Sequence, residues 1–295
     1  MQLNRFPLGR SHRQSKLTRH FSKLMNRSGL GYLGLGLIIL HLLMTWKFTG
    51  NTDQFLLSVM FWSAIALLVW QKRAQLTLRS NWFCCTLGSF ILAIGLTKSL
   101  SLVTSESEFV RFFPAIAGLG LGLIASGYHW RQYWRELSLI GILIIPPGVV
   151  GRLIEWAIGL PIQKLIAQSA TFLLHYLNVG VVREGAEIIS RSGIVRVEYA
   201  CTGIPIFILL LQLAILMGIA FSIQRSQGIL LIAIAISLAW LLSTIRVAVM
   251  TSVLAQPETF DYWHGSSGGQ IFSTSAIVVF ALICQKFPAV AKALS

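Results

Sequence analysis

Apolar residues in this chain come in long blocks joined by short polar links. The blocks run over 30–46, 55–70, 82–102, 112–128 and 137–150, and then, after a polar interval, over 204–223, 229–249 and 271–284. A helix rises about 1.5 Å per residue, so ~20 apolar residues cross a bilayer's hydrocarbon core. The shorter blocks can borrow flanking residues to do so. The pattern predicts an all-α polytopic membrane protein with about eight transmembrane helices. The first block ends in His41-Leu-Leu-Met-Thr-Trp46, with no small-residue cleavage site, and is read as a retained span rather than a signal peptide.

The polar interval has two parts. In 152–179 the apolar positions Leu153, Ile154, Trp156, Ala157, Ile162, Leu165 and Ile166 recur at helical spacing among Lys164, Gln168 and Ser169. That predicts an amphipathic segment on the outer membrane face. In 180–200 the period changes to two, with Arg191-Ser-Gly193 in the middle. This predicts a small β-hairpin outside the membrane, turning near Ser192–Gly193.

Charge changes the picture less than its size suggests. The chain of 295 residues carries a net +14, which first raises the question of nucleic acid. The distribution answers it. With the N-terminus inside, the inner links and tail hold fifteen basic residues against one acid, Glu136, and the outer side holds nine of each. The positive-inside rule is satisfied and no nucleic-acid partner is expected. The expected organisation is a basic cytoplasmic tail over 1–29 and a single membrane domain over 30–295. Within it, 152–203 form the outer-face segment and hairpin that lead to Cys201. Both termini are expected in the cytoplasm of a multi-pass plasma-membrane protein. If 165–179 crossed as a true span, the hairpin would fall inside instead.

The chemistry gathers on the expected outer face. Cys201, in Glu198-Tyr-Ala-Cys-Thr-Gly-Ile-Pro205, stands where the polar interval becomes a membrane helix. Buried cysteines are ordinarily small hydrophobes, and Cys84, Cys85 and Cys284 are read that way. Cys201 is the one cysteine on the outer side, without a disulfide partner there. It also starts a helix, where backbone N–H groups favour an anion and lower a thiol pKa. Arg246 lies near the outer end of the next helix. A terminal arginine commonly reaches for headgroups, but its guanidinium can also stabilise an oxyanion. His264 sits in the following link, in Asp261-Tyr-Trp-His-Gly265; it is either an ordinary polar loop residue or a general base. His175 is a weaker candidate for that role. No metal-ligand or phosphate-loop spacing occurs, so no metal and no cofactor is expected. Gly118-Leu-Gly-Leu-Gly122 lies inside a span and reads as helix packing.

Taken together, these residues resemble a known family. Ala200-Cys-Thr-Gly203 before an apolar helix, Arg246 at a span end, and His264 followed by Gly268 resemble the exosortase/archaeosortase family, closest to cyanobacterial cyanoexosortases. Thr202 stands where the family usually has serine, and Ser243 where it often has asparagine three residues before the arginine. The resemblance implies a membrane cysteine protease/transpeptidase acting on secreted proteins with PEP-CTERM-type C-terminal sorting signals. Its catalytic residues would be Cys201, Arg246 and His264, working through a thioacyl intermediate. The partners implied are those substrate proteins, membrane lipids and an unknown acceptor nucleophile. A different class remains open on the residues alone, a multi-pass transporter or membrane assembly factor in which Cys201 is structural. The near absence of ionisable groups inside the spans, His41 apart, counts against ion-coupled transport.

Overall fold

In the computed structural model the described residues are 27–74, 76, 80–100, 107–221 and 223–287. The basic tail, apart from the start of the first helix, therefore lies outside them. The chain forms α1 (Arg27–Thr49), α2 (Thr52–Lys72), α3 (Trp82–Leu100), α4 (Ser107–Ser126), α5 (Trp134–Ile144) and α6 (Pro147–Tyr176). A three-stranded sheet follows: β1 (Val181–Glu184), β2 (Glu187–Ser190) and β3 (Gly193–Arg196). A 3₁₀ turn, Tyr199–Cys201, leads to α7 (Ile204–Phe221), α8 (Arg225–Ser252), the short α9 (Pro257–His264) and α10 (Ser266–Cys284).

Eight of these helices are long and apolar enough to cross a membrane, the number expected, but with one exchange. The block at 137–150 does not make one span. Pro146 has no N–H to continue the ladder, so α5 stops after eleven residues and a new helix begins. That helix, α6, runs thirty residues and bends where Ile158 leaves helical geometry, three residues before Pro161. The amphipathic segment expected at 152–179 is thus the body of α6, long and apolar enough to span.

The hairpin lies at the same end of the bundle as Cys201, because one span replaces another rather than being added. Arg135 at the start of α5 donates to the carbonyls of Ile219 and Ala220, at the C-terminal end of α7. Leu174 near the end of α6 is buried in the same cluster as Cys201, at the N-terminal end of α7. Between 134 and 176, therefore, the chain passes once from one end of the bundle to the other. The hairpin is one strand larger than expected. β2 and β3 pair around Arg191–Ser192, and β1 adds on the other side of β2, all antiparallel.

The main core is built where α7, almost wholly apolar, is surrounded by α2, α5, α8 and α10. Small residues let helices approach elsewhere, as the glycine run in α4 predicted. A Cβ on Gly88 of α3 would stand 2.7 Å from the Gly120 carbonyl of α4. Polar groups inside the bundle are paired. His41 Nδ1 accepts from Trp62 Nε1 at 2.9 Å and the imidazole stacks on Phe113, tying α1, α2 and α4 together. Lys72 of α2 meets Glu136 of α5 at 3.0 Å, at the end opposite Cys201.

Candidate active site

Cys201 closes the 3₁₀ turn that joins β3 to α7. Its N–H donates to Glu198 O at 2.9 Å, and the Thr202 N–H donates to Tyr199 O at 3.1 Å. The Thr202 hydroxyl donates to Tyr199 O at 2.7 Å and accepts from the Ile204 N–H at 3.4 Å, so it caps the start of α7. Gly203 is required twice over. Its φ is +80°, and a Cβ there would lie 2.6 Å from Ser243 Oγ and 2.9 Å from Ala239 O on α8. The Cys-Thr-Gly sequence is therefore a tight corner pressed directly onto α8. Ser243, where the resembled family often has asparagine, is the side chain beneath it.

α8 places Arg246 one turn beyond Ser243. Arg246 is 9 % exposed, and its guanidinium reaches three backbone carbonyls. Nη1 donates to Ala200 O at 3.1 Å; Nη2 donates to His264 O at 3.0 Å; Nε and Nη2 donate to Trp263 O at 3.4 and 3.3 Å. One planar fork thus holds the residue before Cys201 and the end of the helix carrying His264. Snorkelling to headgroups is excluded by these bonds. Gly269 of α10 lies flat against the guanidinium, where a Cβ would be 3.1 Å from Nη2.

His264 ends α9 and is exposed, its ring stacked on Phe260 one turn earlier at 5.6 Å and 8°. Gly268 admits α10 against α9; a Cβ would sit 2.5 Å from Tyr262 O. The three predicted residues are therefore gathered at one end of the bundle. His175, exposed at the end of α6 with its ring edge-on to Tyr176, is not part of the Arg246 network.

The thiol's environment differs from expectation. Cys201 is 2 % exposed, in an apolar cluster with Ile166, Val197, Val247 and Met250, against which Phe260 and Trp263 pack. Burial pushes its pKa up; the Arg246 cation opposes this and the Glu198 carboxylate adds to it. Lowering by the helix terminus does not prevail, because desolvation of a thiolate outweighs it.

Some residues around the site gave no sequence signal. Tyr199 reaches Gly151 of α6, where a Cβ would stand 1.7 Å from its hydroxyl, and the Glu155 carboxylate is close enough to raise its pKa beyond what burial does. Asp53 of α2 accepts from Ser273 and Thr274, and Thr52 donates to Gln270, so α10 is moored to α2 beside the site. Phe260 was legible in principle, four residues before His264 on one helix face.

The family model described as transmembrane exosortase matches residues 46–281. The chain belongs to the transmembrane exosortase family. That makes it a member of a family of membrane cysteine peptidases and transpeptidases that process sorting signals. The matched span includes Cys201, Arg246 and His264 together with the eight complete helices from α2 to α9. No curated protein and no solved structure matches the chain significantly.

Proposed function

We propose that this exosortase is a cysteine transpeptidase or protease that cleaves PEP-CTERM-type sorting signals at the outer face of the plasma membrane. Cys201 is the nucleophile, His264 the acid–base group and Arg246 the cationic support. The observation that carries the reading is the Arg246 fork, which joins Ala200 to His264 across 64 residues of sequence.

The chemistry follows from the thiol's burial. A thiol raised by desolvation is protonated at neutral pH, so it needs a base when substrate arrives. His264 accepts the Cys201 proton as the sulfur attacks the scissile carbonyl carbon. The tetrahedral oxyanion forms beside the Arg246 cation, which in a water-poor site stabilises it more than it would in water. His264 then protonates the departing amine, the C–N bond breaks, and a thioester remains on Cys201. Water or an acceptor amine gives a proton to His264 as it attacks the thioester carbonyl, the C–S bond breaks to free the product, and that proton returns to the Cys201 sulfur. Arg246 meanwhile keeps the Cys201 and His264 backbones at fixed separation.

The test is a processing assay in membranes. The chain is co-expressed with a reporter ending in a Pro-Glu-Pro-type signal, a transmembrane helix and a basic tail. Wild type should shorten the reporter, while Cys201→Ala and His264→Ala, present at equal membrane levels, should not. Shortening by Cys201→Ala equal to wild type would overturn the assignment.

A further inference from the structure

β3 is an edge strand that runs into the catalytic turn. The sheet order is β1-β2-β3, and β1 and β2 lie against α6. The ladder tells which backbone groups of β3 are turned outward. Val197 N donates to Ala186 O at 3.0 Å, making 186 and 197 a hydrogen-bonded pair. Alternation along an antiparallel ladder then points Val195, opposite Ile188, toward β2 and points the N–H and C=O groups of Ile194 and Arg196 away from it. Both residues are open to solvent: Ile194 is 60 % exposed and the Arg196 side chain 73 %. An exposed edge of this kind is a template for another strand.

The direction of β3 selects what can occupy it. Gly193 lies beside Leu254, beyond the end of α8, whereas Cys201 packs with Val247 and Ala248 inside α8. β3 therefore descends toward the membrane and delivers the chain to Cys201 five residues after Arg196. A substrate whose recognition segment precedes its membrane helix must descend in the same sense. We propose that the extended segment before the substrate's scissile bond adds to the sheet as a fourth strand, parallel to β3, on the Ile194 and Arg196 edge. This rests on the reading of Cys201 as the nucleophile.

Parallel pairing has a consequence for composition. One substrate residue, opposite Val195, donates its N–H to the Ile194 carbonyl and accepts the Arg196 N–H. Its two neighbours turn their backbones the other way and need no N–H. Proline is admitted in strands only at such positions. The edge thus accepts a segment with proline at alternate positions, provided that the residue between them keeps its N–H. The charges over 181–198 are balanced, three arginines against Glu184, Glu187 and Glu198, so the pairing is carried by backbone rather than by net charge.

The test uses the full chain in membranes with the reporter above. Arg196→Pro removes the outward N–H and leaves the β2 ladder intact, because Arg196 and Glu187 form a non-hydrogen-bonded pair. Arg196→Ala removes the charge and keeps the N–H. Losing one bound hydrogen bond predicts roughly tenfold slower processing for Arg196→Pro, with Arg196→Ala within about twofold of wild type. Equal rates for the two variants, while Cys201→Ala remains inactive, would overturn the edge and leave the nucleophile standing. A disulfide-trapping measurement covers the case in which Arg196→Pro does not accumulate. In Cys201→Ala chains, Ile194→Cys should trap a cysteine placed in the reporter's recognition segment. Trapping there by Ser267→Cys on the α10 groove instead would overturn the proposal.

Discussion

Arg246 donates a 3.1 Å hydrogen bond to the carbonyl of Ala200, the residue immediately before Cys201. The same side chain holds the carbonyls of Trp263 and His264. A charge at this position would serve electrostatics, but only a planar fork can serve all three acceptors.

Arg246→Lys therefore separates the two contributions. Lysine keeps the cation and loses the fork. Processing is expected to fall at least tenfold, close to the loss in Arg246→Ala, and the thermal midpoint in detergent should drop in both. Lysine activity near wild type would mean that charge alone is used.

The Gly203 corner makes a second prediction. A left-handed backbone costs a residue with a Cβ about 1–2 kcal/mol, and here the Cβ also meets Ser243 and Ala239. Gly203→Ala should lower the thermal midpoint and abolish processing together. Adding Ser243→Ala removes the closest contact, Ser243 Oγ, and should recover part of the stability. An unchanged midpoint in Gly203→Ala would contradict the corner's geometry.

The raised thiol pKa fixes the sign of a pH dependence. Cys201 remains protonated past the ordinary thiol value of 9.0, so its alkylation rate should climb with pH and reach its midpoint above that value. Arg246→Gln removes the opposing cation and should move the midpoint higher still. The same shift means that the folded state disfavours the thiolate. This contribution to stability is intact below the unfolded thiol's pKa and is lost as pH rises through the folded one. Site-resolved mass spectrometry of alkylated membranes reads the profile for Cys201 apart from Cys84, Cys85 and Cys284. A midpoint below 9.0 would show that the cation prevails over burial.

His41 and Trp62 offer a control far from the site. Trp62→Phe deletes the donor to His41 Nδ1 and should cost about 1 kcal/mol. The thermal midpoint should fall while reporter processing per folded molecule stays unchanged. A selective loss of processing would assign His41 a part in function.

Much of this molecule could be read in one dimension. Apolar block length announced eight spans because crossing hydrocarbon requires ~20 residues whatever the neighbours. Period two announced strands at 187–196 because alternate side chains face opposite sides of a sheet. Cys201, Arg246 and His264 could be picked out as candidates because polar groups at helix ends stand out in an apolar chain, and the fold gathers them at one end of the bundle. The helix boundary at 144–147 was misplaced, since Pro146 interrupts an otherwise continuous apolar block and hydropathy does not register a missing N–H.

Other features depend on contacts between distant segments, which no local pattern encodes. That Arg246 braces three carbonyls instead of reaching headgroups depends on α8 meeting both the β3–α7 turn and the end of α9. The rise of the Cys201 pKa depends on how many apolar side chains from α6, α8 and α9 close over it, and α7's own N-terminus could not foretell that. The strand β1 and the open edge of β3 follow from pairing, because hydrogen-bonding partners belong to the assembled sheet and not to either strand alone.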